Sequence, residues 1–220
     1  MSFISFRRYY LDKELEKILP LFNGQVLDIG GKKDNRRGNF IPPYKQVEKW
    51  IFLNNDKSTN PDIVADLPII PLEDNSIDVI ICTEVIEYIY DYKKLLNEMN
   101  RVLKKDGILI LSLPFLYTLH NDDKYDYFRF TESLIKKELV LNNFTIKEFN
   151  RMGGMFAVIF DLVRGYLSYQ TKATFIVRGL RKIWINLNVI FKFLDRTCCK
   201  NNYYINTGYL IVSRKDTSNV

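Results

Sequence analysis

The sequence predicts an α/β fold, a doubly wound and mostly parallel seven-stranded sheet in a single domain spanning 1–220. Three observations predict it. Apolar runs of strand length alternate with amphipathic runs of helix length, the pattern of strand–crossover–strand units. IDVIICTE (77–84) is apolar almost without a break, as a parallel strand is when both of its faces are covered. A hydrophobic fraction of 47% is enough to fill the core such a sheet needs, and no stretch is polar enough for long disorder.

The N-terminal segment, 1–20, is read as a helix. Tyr10, Leu11, Leu15, Ile18 and Leu19 recur at helical spacing through 8–21. QVLDIG is then a short buried strand, WIFLN (50–54) a second and DIVAD (62–66) a weaker third, ahead of IDVIICTE. DYKKLLNEMNRVLK (91–104) is a helix with Leu95, Met99 and Val102 inward, stopped by Lys105-Asp106-Gly107. GILILSLP (107–114) follows as a strand closed by proline. Thr131 stands where an N-cap belongs for a helix over 131–142, with Ile135 and Leu139 four apart. FTIKEFNR (144–151) and YLIVSRK (209–215) complete the sheet.

Between those last two strands lies a helical insertion, 153–200. FIVRGLRKIWINLNVIFKFLDR reads there as one helix, apolar over a broad arc that includes Trp184, Phe191 and Phe193. Arg178, Arg181, Lys182, Asn186 and Lys192 form a narrow stripe on it. Three roles fit that pattern: burial against the core or a partner chain, peripheral membrane contact through 174–196, or a groove for a lipid-linked acceptor.

The net charge of +6 fits a mildly basic surface, and the scattered lysines, with no appended RNA-binding module, argue against a nucleic-acid partner. Cys82, Cys198 and Cys199 make no disulfide or metal framework, and His120 is the only histidine, so no metal site is expected. MSFISFRRYY is not a secretory signal, and no run of 18 uncharged apolar residues would span a bilayer. The expected location is cytoplasmic, with membrane-peripheral attachment as the variant.

In doubly wound sheets ligands bind beyond the carboxyl ends of the strands, so the residues just after each strand are the site candidates. After the first come Asp28, Gly30 and Gly31, where glycine admits a ligand close to the backbone and a following helix start would offer free amides to an anion. After the second come Asn54, Asn55 and Asp56, where an acid normally meets ribose hydroxyls. Asp66 follows the third; Thr83, Glu84 and Glu87 follow the fourth. Each also has an ordinary structural reading: Gly30 and Gly31 a tight turn, Asp66 a helix cap, Glu84 a solvated strand end.

That ordered series resembles the class I S-adenosylmethionine-dependent methyltransferases of the type 11-like group. VLDIGG is similar to the family's first motif, IVADLPIIPLEDNSIDVIICTEVIEYI to its middle portion, and LLNEMNRVLKKDGILILSLPF to the helix and strand after it. The likeness covers about 20–150 together with the closing YLIVSRK strand. It implies a Rossmann-like sheet whose last strand is antiparallel, with S-adenosyl-L-methionine as cofactor. Asp28, Gly30 and Gly31 would line its methionine end, Asn54 or Asp56 would face the ribose, Asp66 and Leu67 the adenine, and Glu84 the sulfonium side. Three departures stand out. Lys32 and Asp34 fall where glycines are usual, Asn54 where an acid is, and Tyr88 where a histidine often follows Glu87. They leave open a catalytically degenerate relative acting as an interaction protein.

LPFLYTLHNDDKYDYFRFTE (113–132) resembles a subset of these methyltransferases found in bacterial glycan and polysaccharide gene clusters. The expected activity is O-methylation of a sugar, glycan or other small-molecule acceptor, with RNA methylation as the alternative. His120 is the candidate base for the acceptor hydroxyl, against a structural hydrogen bond in the loop. Tyr117, Asp126 and Arg129 are candidates on the acceptor side, and an Asp126–Arg129 pair that pins the loop is the competing reading.

Overall fold

The computed structural model describes residues 4–34, 38–119, 124–169, 175–199 and 204–216. Seven strands form one sheet: β1 (Gln25–Ile29), β2 (Lys49–Asn54), β3 (Ile63–Val64), β4 (Ile77–Thr83), β5 (Leu103–Pro114), β6 (Phe144–Met152) and β7 (Gly208–Lys215). Their order is β3-β2-β1-β4-β5-β7-β6, and β7 runs antiparallel to both neighbours. The direction of the chain's last strand is therefore the one the sequence reading expected. Among the described residues the α-helices are α1 (Phe6–Lys17), α2 (Tyr92–Val102), α3 (Glu132–Leu141), α4 (Met155–Tyr169), α5 (Phe175–Asn186) and α6 (Asn188–Cys198).

Alternation along the strands divides the core between two faces. Leu27 and Ile29 of β1 join Leu95, Met99, Ile135 and Leu139 of α2 and α3 on one face. Val26, Phe52, Val79 and Ile81 meet Leu11 and Leu15 of α1 on the other. Both α1 leucines are essentially fully buried, each contributing roughly 1.5–3 kcal/mol of burial free energy. Among the described residues no helix is long and apolar enough to cross a membrane.

Three expectations need correcting. The helix expected to end at Lys105-Asp106-Gly107 stops at Val102, because Leu103 already pairs with Ile77 of β4. Residues 104–107 instead form a bulge before Ile108 pairs with Val79, with Asp106 left-handed at φ 60°. The single helix read over the second half of the insertion is two, α5 and α6, broken at Leu187. The break ends the continuous basic stripe, and Lys192 turns instead onto the Tyr9 ring, 4.0 Å from its centroid. Finally, no helix follows Gly30 and Gly31 among the described residues of the β1–β2 connection.

Two buried carboxylates couple the insertion to α1. Asp161 of α4 accepts from the Phe6 and Arg7 amides, both at 2.8 Å, so an anion caps the positive end of α1. Burial pushes the Asp161 carboxyl up to about 6. Asp195 of α6 caps α4 in the same way, accepting from the Gly154 and Ala157 amides, and also takes the Tyr10 hydroxyl at 2.7 Å. Asp195→Asn keeps the shape but turns an amide donor toward these donors. The variant should lose about 2 kcal/mol of stability in urea unfolding, the typical worth of a buried bond to a charged acceptor. An unchanged midpoint would show that the cap contributes little.

Candidate functional site

A cavity of about 400 Å³ opens at the carboxyl ends of β1, β2 and β4. Its walls include Asp28, Gly30, Gly31, Asn54, Asp56 and Glu84 from the sequence reading, together with Lys32 and Tyr88. Asp66 and Leu67 are not among the lining residues; Asp66 is exposed on the loop after β3.

Gly30 is left-handed, φ 75°, and its amide donates to the Leu53 carbonyl at 2.8 Å. A Cβ there would lie 2.4 Å from a Val85 methyl, and one at Gly31 would lie 2.3 Å from the Asp28 carboxyl carbon. At Gly30 the left-handed backbone and Val85 together require glycine, while a side chain at Gly31 would have to displace the Asp28 carboxylate. The chain then bends at Lys33 and Asp34. Lys33 pairs with Asp62 at 2.6 Å, and Asp62 also accepts from the Phe52 amide. Lys33 therefore fastens the loop to the β2–β3 edge. Asp12 of α1 closes the same connection from the other side by accepting from the Asn39 amide at 2.7 Å.

Asn54, in the cavity wall, is tied to the glycine turn. Its Nδ2 donates to the carbonyls of Gly30 (3.1 Å) and Gly31 (3.0 Å), while its Oδ1 accepts from the Asp56 amide. Only a carboxamide can both donate and accept in this way. The residue clips the glycine turn rather than presenting a charge to a ligand. Asp56 is exposed, and the Ser58 hydroxyl and amide that bond it hold its carboxyl below the usual range.

Glu84 is no solvated strand end. It adopts φ 59°, a sparsely populated region for such a residue. Its carboxylate takes the Ser112 hydroxyl at 2.7 Å and pairs with Arg7 of α1. Arg7 in turn lies over the Tyr117 ring, 4.3 Å from its centroid. The next residue of α1, Arg8, pairs with Asp12 at 2.9 Å and lines the cavity. Sequence reasoning passed over both arginines. The Arg-Arg pair early in an otherwise apolar stretch was the available signal, but its destination depends on how α4 caps α1.

Asp126 and Arg129 are joined to each other through both guanidinium nitrogens, and Arg129 also reaches the Phe128 and Thr118 carbonyls. This is the loop-pinning arrangement. His120, Asp122 and Asp123 lie outside the described residues. Beside the pinned loop, Tyr90, Tyr125 and Tyr127 are exposed, with the Tyr90 and Tyr127 rings 5.4 Å apart.

Glu87 is fully buried, and among the described residues neither carboxylate oxygen has a hydrogen-bond partner. Burial pushes its carboxyl up to about 7, against the opposing pull of Arg7 and Arg129. A carboxyl raised from 4.5 to about 7 on folding is neutral in both states at low pH and costs stability once it must ionise. The stability of Glu87→Gln minus that of the wild type should therefore rise between about pH 4.5 and 7 and then level, by ~3 kcal/mol. Urea unfolding at several pH values measures it; a difference independent of pH would contradict the assignment.

The methyltransferase domain family matches residues 46–111. An uncharacterised protein of Methanocaldococcus jannaschii is 32% identical over 142 residues, which is 61% of this chain and 62% of that protein. A probable S-adenosylmethionine-dependent methyltransferase of Mycobacterium tuberculosis is 40% identical over 50 residues, 23% of this chain and 18% of that protein. The chain thus spans less than two thirds of the length of either relative. A SAM-dependent methyltransferase from Archaeoglobus fulgidus superposes with a TM-score of 0.59 at 15% identity, covering 94% of each chain. The strand order, the antiparallel last strand and these likenesses together give the chain the Rossmann-like methyltransferase fold.

Proposed function

We propose that this chain is an S-adenosylmethionine-dependent methyltransferase acting on the oxygen of a sugar, glycan or other small-molecule acceptor. The observation that carries this reading is the cavity at the strand ends, walled by a glycine turn whose Cβ space is already taken. Its volume of about 400 Å³ lies within the usual range for small-molecule sites, ~300–1,000 Å³. The match over 46–111 covers the β2–β5 part of the same site.

Bound there, the cofactor supplies an electrophilic methyl carbon on sulfur. Arg8 and the Gly30–Gly31 turn are the groups suited to its carboxylate end, and Asp56 to its ribose hydroxyls. Asp28 provides negative charge for the cationic half, with the Arg7-paired Glu84 beside it. Asp66 and Leu67 remain the residues assigned to the adenine. His120 takes the proton of the acceptor hydroxyl at its imidazole as the new bond forms. The exposed Tyr90, Tyr125 and Tyr127 offer flat apolar faces to a sugar ring beside the loop that carries His120.

The departures from the family pattern do not abolish the site on this reading. Asn54 holds the turn, and Lys32 and Tyr88 line the cavity without filling it. Incubation with methyl-labelled S-adenosylmethionine and a panel of glycosides, polyprenyl-linked sugars and tRNA tests the acceptor. Label is expected on a carbohydrate oxygen. Label on tRNA, or on nothing while the cofactor still binds, would overturn the acceptor assignment.

A further inference from the structure

The outward side of the α5–α6 hairpin has no place in the site described above. On its inner side the hairpin is anchored: Trp184 stacks on Phe160 at 5.7 Å and donates to the Phe160 carbonyl, and Phe191 packs against both rings. A rotation of about 100° per residue puts Ile176, Leu180 and Ile183 together on one side of α5, with Leu180 one turn before Trp184 and beside it. Those three are exposed, as are Val189, Ile190 and Phe193 of α6, and Phe193 is 64% exposed. Six large apolar side chains facing solvent within 18 residues is more than a monomer's surface usually leaves uncovered.

Charge indicates what covers them. Residues 175–199 carry five cations, Arg178, Arg181, Lys182, Lys192 and Arg196. They carry one carboxylate, Asp195, which is buried and spent on capping α4. The hairpin therefore holds a net +4 (5 − 1) of the chain's +6. A contact with a second copy would leave this charge uncompensated, since the copy carries the same +4 on its hairpin. A partner that combines negative charge with an apolar interior satisfies both features.

We propose that the α5–α6 hairpin docks the protein on an anionic lipid surface. The exposed isoleucine, leucine, valine and phenylalanine side chains enter the boundary between headgroups and acyl chains. Arg178, Arg181 and Lys182 lie on another side of α5, level with the phosphates. This inference does not depend on the methyltransferase reading, because the docking face is separate from the cavity.

Sedimentation of the full chain with vesicles of phosphatidylcholine containing about one third phosphatidylglycerol tests it, with no cofactor present. Binding should exceed that to pure phosphatidylcholine at least tenfold and weaken in 0.5 M salt, since exposed charges are then screened within about 4 Å. Ile183→Glu with Phe193→Glu should reduce binding at least tenfold while leaving the thermal midpoint and S-adenosylhomocysteine affinity unchanged. Equal sedimentation of wild type and double variant would overturn the proposal. So would a wild-type dimer that the double variant converts to monomer, since a second copy would then cover the face.

Discussion

Asn54→Asp should lower affinity for S-adenosylhomocysteine about 1,000-fold, although it installs the acid usual at this place in the family. Asn54 is nearly fully buried, and its amide gives both hydrogens to the Gly30 and Gly31 carbonyls. A carboxylate has no hydrogen to give and would set negative charge against two carbonyl oxygens about 3 Å away. Each buried acceptor left unpaired costs roughly 1–3 kcal/mol. A combined loss of ~4 kcal/mol is about a thousandfold in binding. The glycine turn would spread, and the cavity wall it forms would go with it. Titration calorimetry on the folded variant reads the effect. Unchanged or improved affinity would mean that residue 54 meets the ligand directly and that the clip is incidental.

The second large effect is expected at His120. Replacement by alanine should cut methyl transfer by ~100–10,000-fold, the usual contribution of a positioned acid–base group. Cofactor affinity should stay within twofold, because none of the groups assigned to the cofactor belongs to this loop. The rate of the wild type should rise with pH through the imidazole's titration, near 6.5 in the absence of a perturbing environment. In the variant that limb should vanish. If turnover survives with the same pH profile, the base lies elsewhere, and buried Glu87 beneath the same loop is the next group to replace.

The centre of the sheet was legible from the sequence because strands such as β4 and the second half of β5 are buried on both faces and so read as apolar runs. Val79–Cys82 is the clearest case, buried at every position. The cavity wall was legible in part. Asp28, Gly30, Gly31, Asp56 and Glu84 line it because strand ends converge there whatever the details of the connections. What the sequence hid depends on long-range partners. Nothing local shows that Asn54 faces two carbonyls 23 and 24 residues earlier. Nor does anything local show that Asp161, 154 residues from Arg7, caps the helix that brings Arg7 and Arg8 to the site. The hairpin misled for a similar reason. Its periodicity is continuous across Leu187, and the break follows from Trp184 and Phe191 both packing onto Phe160.

A calorimetric titration of the purified chain with S-adenosylhomocysteine, run beside Gly30→Val, tests the account most directly. The wild type should bind one equivalent with micromolar affinity, ~8 kcal/mol. The variant should show no heat at the same concentrations, because its Cβ is driven against Val85 in a left-handed turn. Absence of binding to the wild type at millimolar ligand, with the protein folded, would contradict the assignment of the strand-end cavity to a sulfonium nucleoside.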